Sequence, residues 1–206
     1  MTPPSISAIE QLDPRPSAVV HLVARLVTPD DWPTLESERP LWFEQLGLPV
    51  SGTPVSELDR RSESRHFTAS GPDGWGETSW RFFEGDFTGL SWFLWRDADE
   101  AATRTGAEAL RRAFSNCWTG EEDPENEFGF ACSWTPPGRM IEMYFHAPRT
   151  VRGVTGPGCV QLAVSHRERA AVEDERARRR AEQELARWTA AGHPPIIERP
   201  PPDSGS

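Results

Sequence analysis

Hydrophobic positions along this chain change their spacing four times, and each change marks a shift in the kind of element formed. Val19, Leu22, Val23 and Leu26 recur at the steps of one buried helical stripe. This predicts a first helix over 17–28, with Ser17 as its cap and Pro29 as its end. A second helical segment over 34–46 sets Leu35, Trp42, Phe43 and Leu46 on one side, with Pro40 kinking it and Gly47 stopping it. The stretch 47–63 keeps no period and is rich in turn residues, so it reads as a loop.

The period then falls to two. Residues 64–69, 77–84 and 87–95 read as strands, the last two a hairpin turning at Gly85 and Asp86. Asp97, followed three residues later by Glu100, reads as the cap of a helix over 98–116. Its inner stripe is Ala102, Ala109, Leu110, Ala113, Phe114 and Cys117, and Gly106 either weakens its middle or permits a close approach to the sheet. An acidic loop over 119–127 leads to a second strand set at 127–134, 139–146 and 159–165, and a long charged helix over 166–190 follows. The expected fold is α+β: a mainly antiparallel sheet from two βββα units, with an N-terminal helix pair and a long C-terminal helix. Residues 1–16 read as a flexible N-terminus, 17–191 as a single domain and 192–206 as a disordered Pro-rich tail. In the last helix Ala170, Ala177, Ala181, Leu185 and Trp188 form a narrow stripe. It pins the helix to the body through Leu185 and Trp188 or, on a sharper reading, supports a weak dimer.

Composition narrows the function classes. All 22 basic residues are Arg, with no Lys, which reflects a GC-rich genome more than any chemistry. The formal charge is −10, and it is unevenly placed: residues 1–164 hold 24 acids and 14 Arg, and 165–206 hold eight of each. Such a field disfavours nucleic acid and anionic membrane as partners and favours a basic protein. With neither a leader-like start nor an apolar run long enough to span a bilayer, the expectation is a cytoplasmic protein. Cys117, Cys132 and Cys159 lack any CxxC spacing and read as reduced, buried thiols.

Phosphate-cradling glycine loops, a G-x-S-x-G elbow, HExxH and DxDxDG are all missing, so no catalytic, cofactor or metal residue is assigned. The EEDPENE run at 121–127 has Pro124 and no central Gly, which argues against a calcium loop. Of the histidines, His146 is the one that could meet a carboxylate, Glu142 or Glu77, if the strands pair suitably.

Strand alternation gives the best functional clue. One face collects Trp80, Phe82, Leu90, Trp92, Leu94, Phe128, Phe130, Trp134, Ile141, Met143, Phe145, Val160, Leu162 and Val164, and is the expected core. The opposite face carries Arg81, Phe83, Ser91, Phe93, Trp95, Met140, Glu142, Tyr144 and His146. A face meant for water alone would alternate to polar residues. Exposed aromatics among Arg and Glu resemble a protein-binding surface instead. The partner-binding candidates are therefore Arg81, Phe83, Phe93, Trp95, Met140, Glu142, Tyr144 and His146. Burial of this face by a helix or by the 47–63 loop is the competing expectation.

The stretches GWGETSW at 74–80, SWFLWRD at 91–97 and IEMYFH at 141–146 look like signature segments of an uncharacterised actinobacterial family. Over roughly 64–180 the order of elements resembles secretion-chaperone-like proteins and the immunity proteins of polymorphic toxins. That resemblance implies a non-enzymatic protein that holds or blocks a partner, and it carries over no functional residue. The alternative is a small enzyme or small-molecule-binding accessory domain. It requires a concave site on the second face where Arg81, Glu142, Tyr144 and His146 converge.

Overall fold

Two three-stranded meanders, far apart in the chain, join along their last strands. The computed structural model describes residues 11–28, 32–55, 64–72, 75–126, 128–151 and 154–191. The helices are α1 (Pro16–Val27), α2 (Arg39–Leu46), α3 (Glu100–Cys117) and α4 (Arg167–Ala190). The first strands are β1 (Thr53–Pro54), β2 (Ser64–Ser70), β3 (Glu77–Phe83) and β4 (Asp86–Leu94). After α3 come β5 (Gly120–Glu122), β6 (Gly129–Trp134), β7 (Arg139–His146), β8 (Arg149–Val151), β9 (Val154–Gly156) and β10 (Cys159–His166). One antiparallel sheet takes eight of them in the order β1-β2-β3-β4-β10-β7-β6-β5, and β8 and β9 form a separate hairpin. The two βββα units are thus β2-β3-β4-α3 and β6-β7-β10-α4, meeting at the β4–β10 seam. The protein has the expected α+β fold.

Local chemistry explains the boundaries, including those that differ from expectation. Helix α1 starts from Arg15, not from a Ser17 cap, because Pro16 occupies its first turn, where the missing N–H costs nothing. Pro40 plays the same part in α2. The second helix therefore begins at Arg39 and is not kinked, and the residues before it form a turn in which the Glu38 carboxylate accepts from the Thr34 and Leu35 N–H groups. Leu35 is consequently 55% exposed and outside the core. Asp99, not Asp97, caps α3, accepting from the N–H groups of Ala101 and Ala102. The buried stripe of α3 is Thr103, Gly106, Ala107, Leu110 and Phe114, and Cys117 is exposed. The β3–β4 turn is Glu84–Gly85, both at positive φ, the conformation that matches strand twist in a two-residue hairpin loop.

The apolar face of the sheet packs against helices: α1 lies on α3 and β10, and α3 on β10 and β6. Trp80, Phe82, Trp92, Trp134, Ile141 and Leu162 are each 1% exposed or less. Leu12 is also in this core, so the segment just before α1 packs down and is not loose. The 47–63 segment contributes the short edge strand β1, and its Gly52 abuts the Trp80 ring on the core face. Phe128, expected in the core, lies just outside β6 and stays 50% exposed beneath the Arg149 guanidinium.

Trp95 departs furthest from expectation. It follows the last residue of β4 at φ +59, which breaks the alternation and turns the indole to the core side. There it is 5% exposed, and its Nε1 donates to the Pro14 carbonyl at 2.8 Å. A Cβ on Gly106 would lie 2.6 Å from the Trp95 ring and from Leu12, so glycine is what allows α3 this close.

Compact units divide the chain at Ala170, one being Met1–Ala170 and the other Ala171–Ser206. Within the first, Arg169 donates to the carbonyls of Pro33 and Phe87 and so fixes the opening turn of α4. Within the second, α4 carries same-helix ion pairs of Arg178 with Glu175 and Glu182, and of Arg179 with Glu175. Leu185 and Trp188, the residues of the expected anchor, are 52% and 44% exposed. Residues 1–10 and 192–206, the bulk of the segments expected to be flexible, lie outside the described residues. Among the described residues no helix is long and apolar enough to cross a membrane.

Trp95→Ala is expected to lose about 3–5 kcal/mol of stability in chemical denaturation, as for a fully buried aromatic. Phe93→Ala, one strand position inside the turn but on the other face, should lose about 1 kcal/mol. Equal losses would contradict the placement of the two rings. Removing the α3 cap with Asp99→Ala should cost about 1 kcal/mol in the same measurement.

Candidate functional site

The face of the sheet opposite the helices is built by register. Across it run Thr68, Ser79, Ser91 and Ala163, each directly opposite the next on neighbouring strands, followed by Glu142, Ser133 and Glu121. Side chains two residues away along each strand form the adjoining rows on this face. On one side stand Arg81 and Met140, on the other Phe93, Gln161 and Tyr144. Short side chains between longer ones leave a trough. Within it lies a hollow of about 470 Å³ bordered by Ser79, Arg81, Ser91, Glu142, Tyr144, His146, Gln161 and Ala163.

Four of the eight residues singled out from sequence, Arg81, Glu142, Tyr144 and His146, therefore converge on one concavity. Phe93 and Met140 lie half-buried on the same face beyond its border, with the Arg96 guanidinium over the Phe93 ring. Phe83 and Trp95 are not available to a partner. Trp95 is in the core, and Phe83 is 4% exposed, opposite Asp86, which also forms a backbone bridge with Leu35. An extra residue, Thr88, bulges β4 beside this pair, where the register shifts between Arg81 and Phe82. The aromatic surface expected from alternation is thus more polar and more hollow than the residue list implied. The floor residues Ser79, Ser91, Ala163 and Gln161 were missed as site residues, though the period-two pattern places every one of them on this face.

Acidity gathers at one end of the trough. Strand β5 alternates like any other, so Glu121 opposes Ser133 on the open face and Glu122 opposes Cys132 on the helix face. Glu122 pairs with Arg111 and Glu125 with Arg104, both from α3. Glu121 and Asp123 instead border a second hollow of about 220 Å³ that shares Glu142 and Tyr144 with the first. A third, of about 190 Å³, adjoins at Asp123, Phe128, Tyr144 and His146. Tyr144 stands where all three meet. Its hydroxyl donates to Glu142 Oε1 at 3.2 Å, and its ring lies 6.2 Å from that of His146 with the planes 15° apart. His146 Nε2 and Gln161 Oε1 are 3.2 Å apart, within hydrogen-bond distance.

The local potential registers on neighbouring groups. The Tyr144 phenol is held above its ordinary value by partial burial, by the charge of Glu142, by the hydrogen bond to it and by Asp123. Burial, with Glu122 and Asp123 adding to it, pushes the Cys132 thiol up to about 11.

Nucleophilic catalysis finds little support in this geometry. Ser91 and His146 are two strands and two rows apart, about 16 Å between Cα positions, which no serine–histidine hydrogen bond spans. Cys159 is directly opposite His146, but burial raises its thiol, the reverse of an activated cysteine. Among the described residues no group of His, Cys, Asp and Glu comes together as a metal site. The arrangement is suited to holding hydrogen-bond donors and positive charge. Comparison with known proteins returns no match, whether to a family model, a curated protein or a solved structure.

Tyr144 is the one tyrosine in the chain, so tyrosinate absorbance reads this site alone. Its titration midpoint should lie above the ordinary ~10, and Glu142→Gln should bring it down. Since the folded state holds this proton more tightly than the unfolded chain, the stabilisation it gives is complete below the ordinary value. It is lost as pH rises through the raised one. A midpoint unmoved by Glu142→Gln would remove the carboxylate as a cause.

Proposed function

We propose that this protein binds, without catalysis, an extended basic segment of another protein along the trough, in the manner of an immunity or chaperone-like protein. The observation that carries the reading is the row of short hydroxyl and methyl side chains that ends among Glu142, Glu121 and Asp123. Such a floor lets an extended chain approach closely, and the acidic end favours a cation on that chain. The excess of acids over arginines in residues 1–164 adds long-range attraction for a basic partner and opposes nucleic acid. Occluding the bound segment would suffice as its mechanism.

A second reading has one observation in its favour. The main hollow, about 470 Å³, falls within the ~300–1,000 Å³ of small-molecule sites and has polar groups converging on it. Under that reading a small polar ligand would perturb Tyr144 and a basic peptide would not.

Titration calorimetry with Gly/Ser peptides carrying either basic or acidic residues tests the first reading. Basic peptides should bind and acidic ones should not, with affinity falling steeply as salt rises from about 0.05 to 0.5 M. The double replacement Glu121→Gln with Glu142→Gln should weaken binding at low salt about tenfold, with the folded state intact by circular dichroism. Basic peptides that fail to bind at low salt, or that bind the double variant equally well, would overturn it.

A further inference from the structure

Negative charge alone does not distinguish lysine from arginine, but the walls of the trough do. An ammonium is a compact, strongly hydrated point charge that a carboxylate satisfies unaided. A guanidinium is planar and delocalised, and it pairs edge-on with carboxylates while laying its face on an aromatic ring. Both kinds of contact meet at one place on this surface. Tyr144 and His146 point to the same side of β7, their rings nearly parallel, and Tyr144 is 37% exposed. Hydrogen bonds hold the assembly: Tyr144 binds Glu142, and His146 binds Gln161 on the neighbouring strand. The Glu142 carboxylate accepts one hydrogen bond from Tyr144 and keeps capacity for further donors. Asp123 borders both smaller hollows on the β5 side of the same ring.

The protein's own arginines show the same mode of contact. Arg104 lies over Phe145 at 4.7 Å while paired with Glu125, and Arg111 lies over Phe130 at 5.4 Å while paired with Glu122. On the helix face of β6 and β7, ring plus carboxylate holds a guanidinium twice. On the open face Tyr144 with Glu142 and Asp123 presents the same combination to a molecule from outside.

Resting on the reading of the trough as a site for a basic segment, we propose that Tyr144 and His146 form a stacking platform selective for an arginine side chain of that segment, with Glu142 and Asp123 receiving its N–H groups. Tyr144 and His146 are then specificity-determining residues, and the partner is an arginine-bearing protein segment, not a lysine-rich one.

Biosynthetic replacement of tyrosine by 3-fluorotyrosine places a single fluorine label at this platform, because the chain has one tyrosine. The labelled full-length chain is titrated with two Gly/Ser peptides that differ only in carrying arginines or lysines. The arginine peptide should shift the fluorine resonance and bind about threefold to fivefold tighter than the lysine peptide. In unlabelled protein, Tyr144→Leu should abolish that preference and leave both peptides at the lysine level. Tyr144→Phe, which keeps the ring, should retain it. If both peptides bind wild-type protein equally, or the arginine peptide binds with the fluorine resonance stationary, the arginine platform is overturned and the basic-segment reading stands. If neither peptide binds, the underlying reading fails and this one with it.

Discussion

The antiparallel pairing of β4 with β10 is the constraint on which the rest depends. It joins residues brought together from the two halves of the chain, with Leu94 opposite Val160 and Gly89 opposite Ser165. Because side chains alternate, this one register decides both surfaces at once. Slipping β10 by a residue would carry Val160, Leu162 and Val164 to the open face and put Gln161, Ala163 and Ser165 against α1 and α3. The burial of the three apolar residues holds the register, and the trough floor is its by-product. The irregularity in β4 falls at Thr88, just outside the stretch paired with β10, so the hairpin bends without disturbing the seam.

How much of this was legible in the sequence follows from where local pattern controls structure. The aromatic hairpin, α3 and the strands around 139–146 and 159–165 have a clear period and lie within a residue or two of their expected bounds. Short pieces escaped. Strands β1 and β5 have too few residues to show any alternation, and β5 was hidden in an acidic run that reads as loop. Capping was misassigned because Asp97 and Asp99 both precede the same helix and only backbone conformation chooses between them. Trp95 could not have been placed, since nothing in SWFLWRD signals a positive φ one residue after the strand. The open face was identified, but its shape depends on which strands are neighbours, and that order is a long-range fact.

Charge is partitioned as finely as apolarity. The acidic run that looked like a solvated loop is sorted by the pleat of β5. Glu122 is directed to Arg111 on the helix face, and Glu121 to the open face. The negative field at the trough is thus the part of the local acidity that α3 does not neutralise. Arginine suits the helix-face role because its guanidinium can pair with a carboxylate and cover a ring together, as at Phe130 and Phe145.

The outermost strands have one more implication. A sheet of eight strands ordinarily leaves two rows of unpaired backbone groups that invite another chain to add on. Here one margin is two residues long and contains Pro54, which has no N–H to offer, and the other is three residues long with two glutamates. Among the described residues neither of these two outermost strands is long enough to template an added strand. The broad open face, by contrast, presents side chains and not unpaired backbone groups to its surroundings.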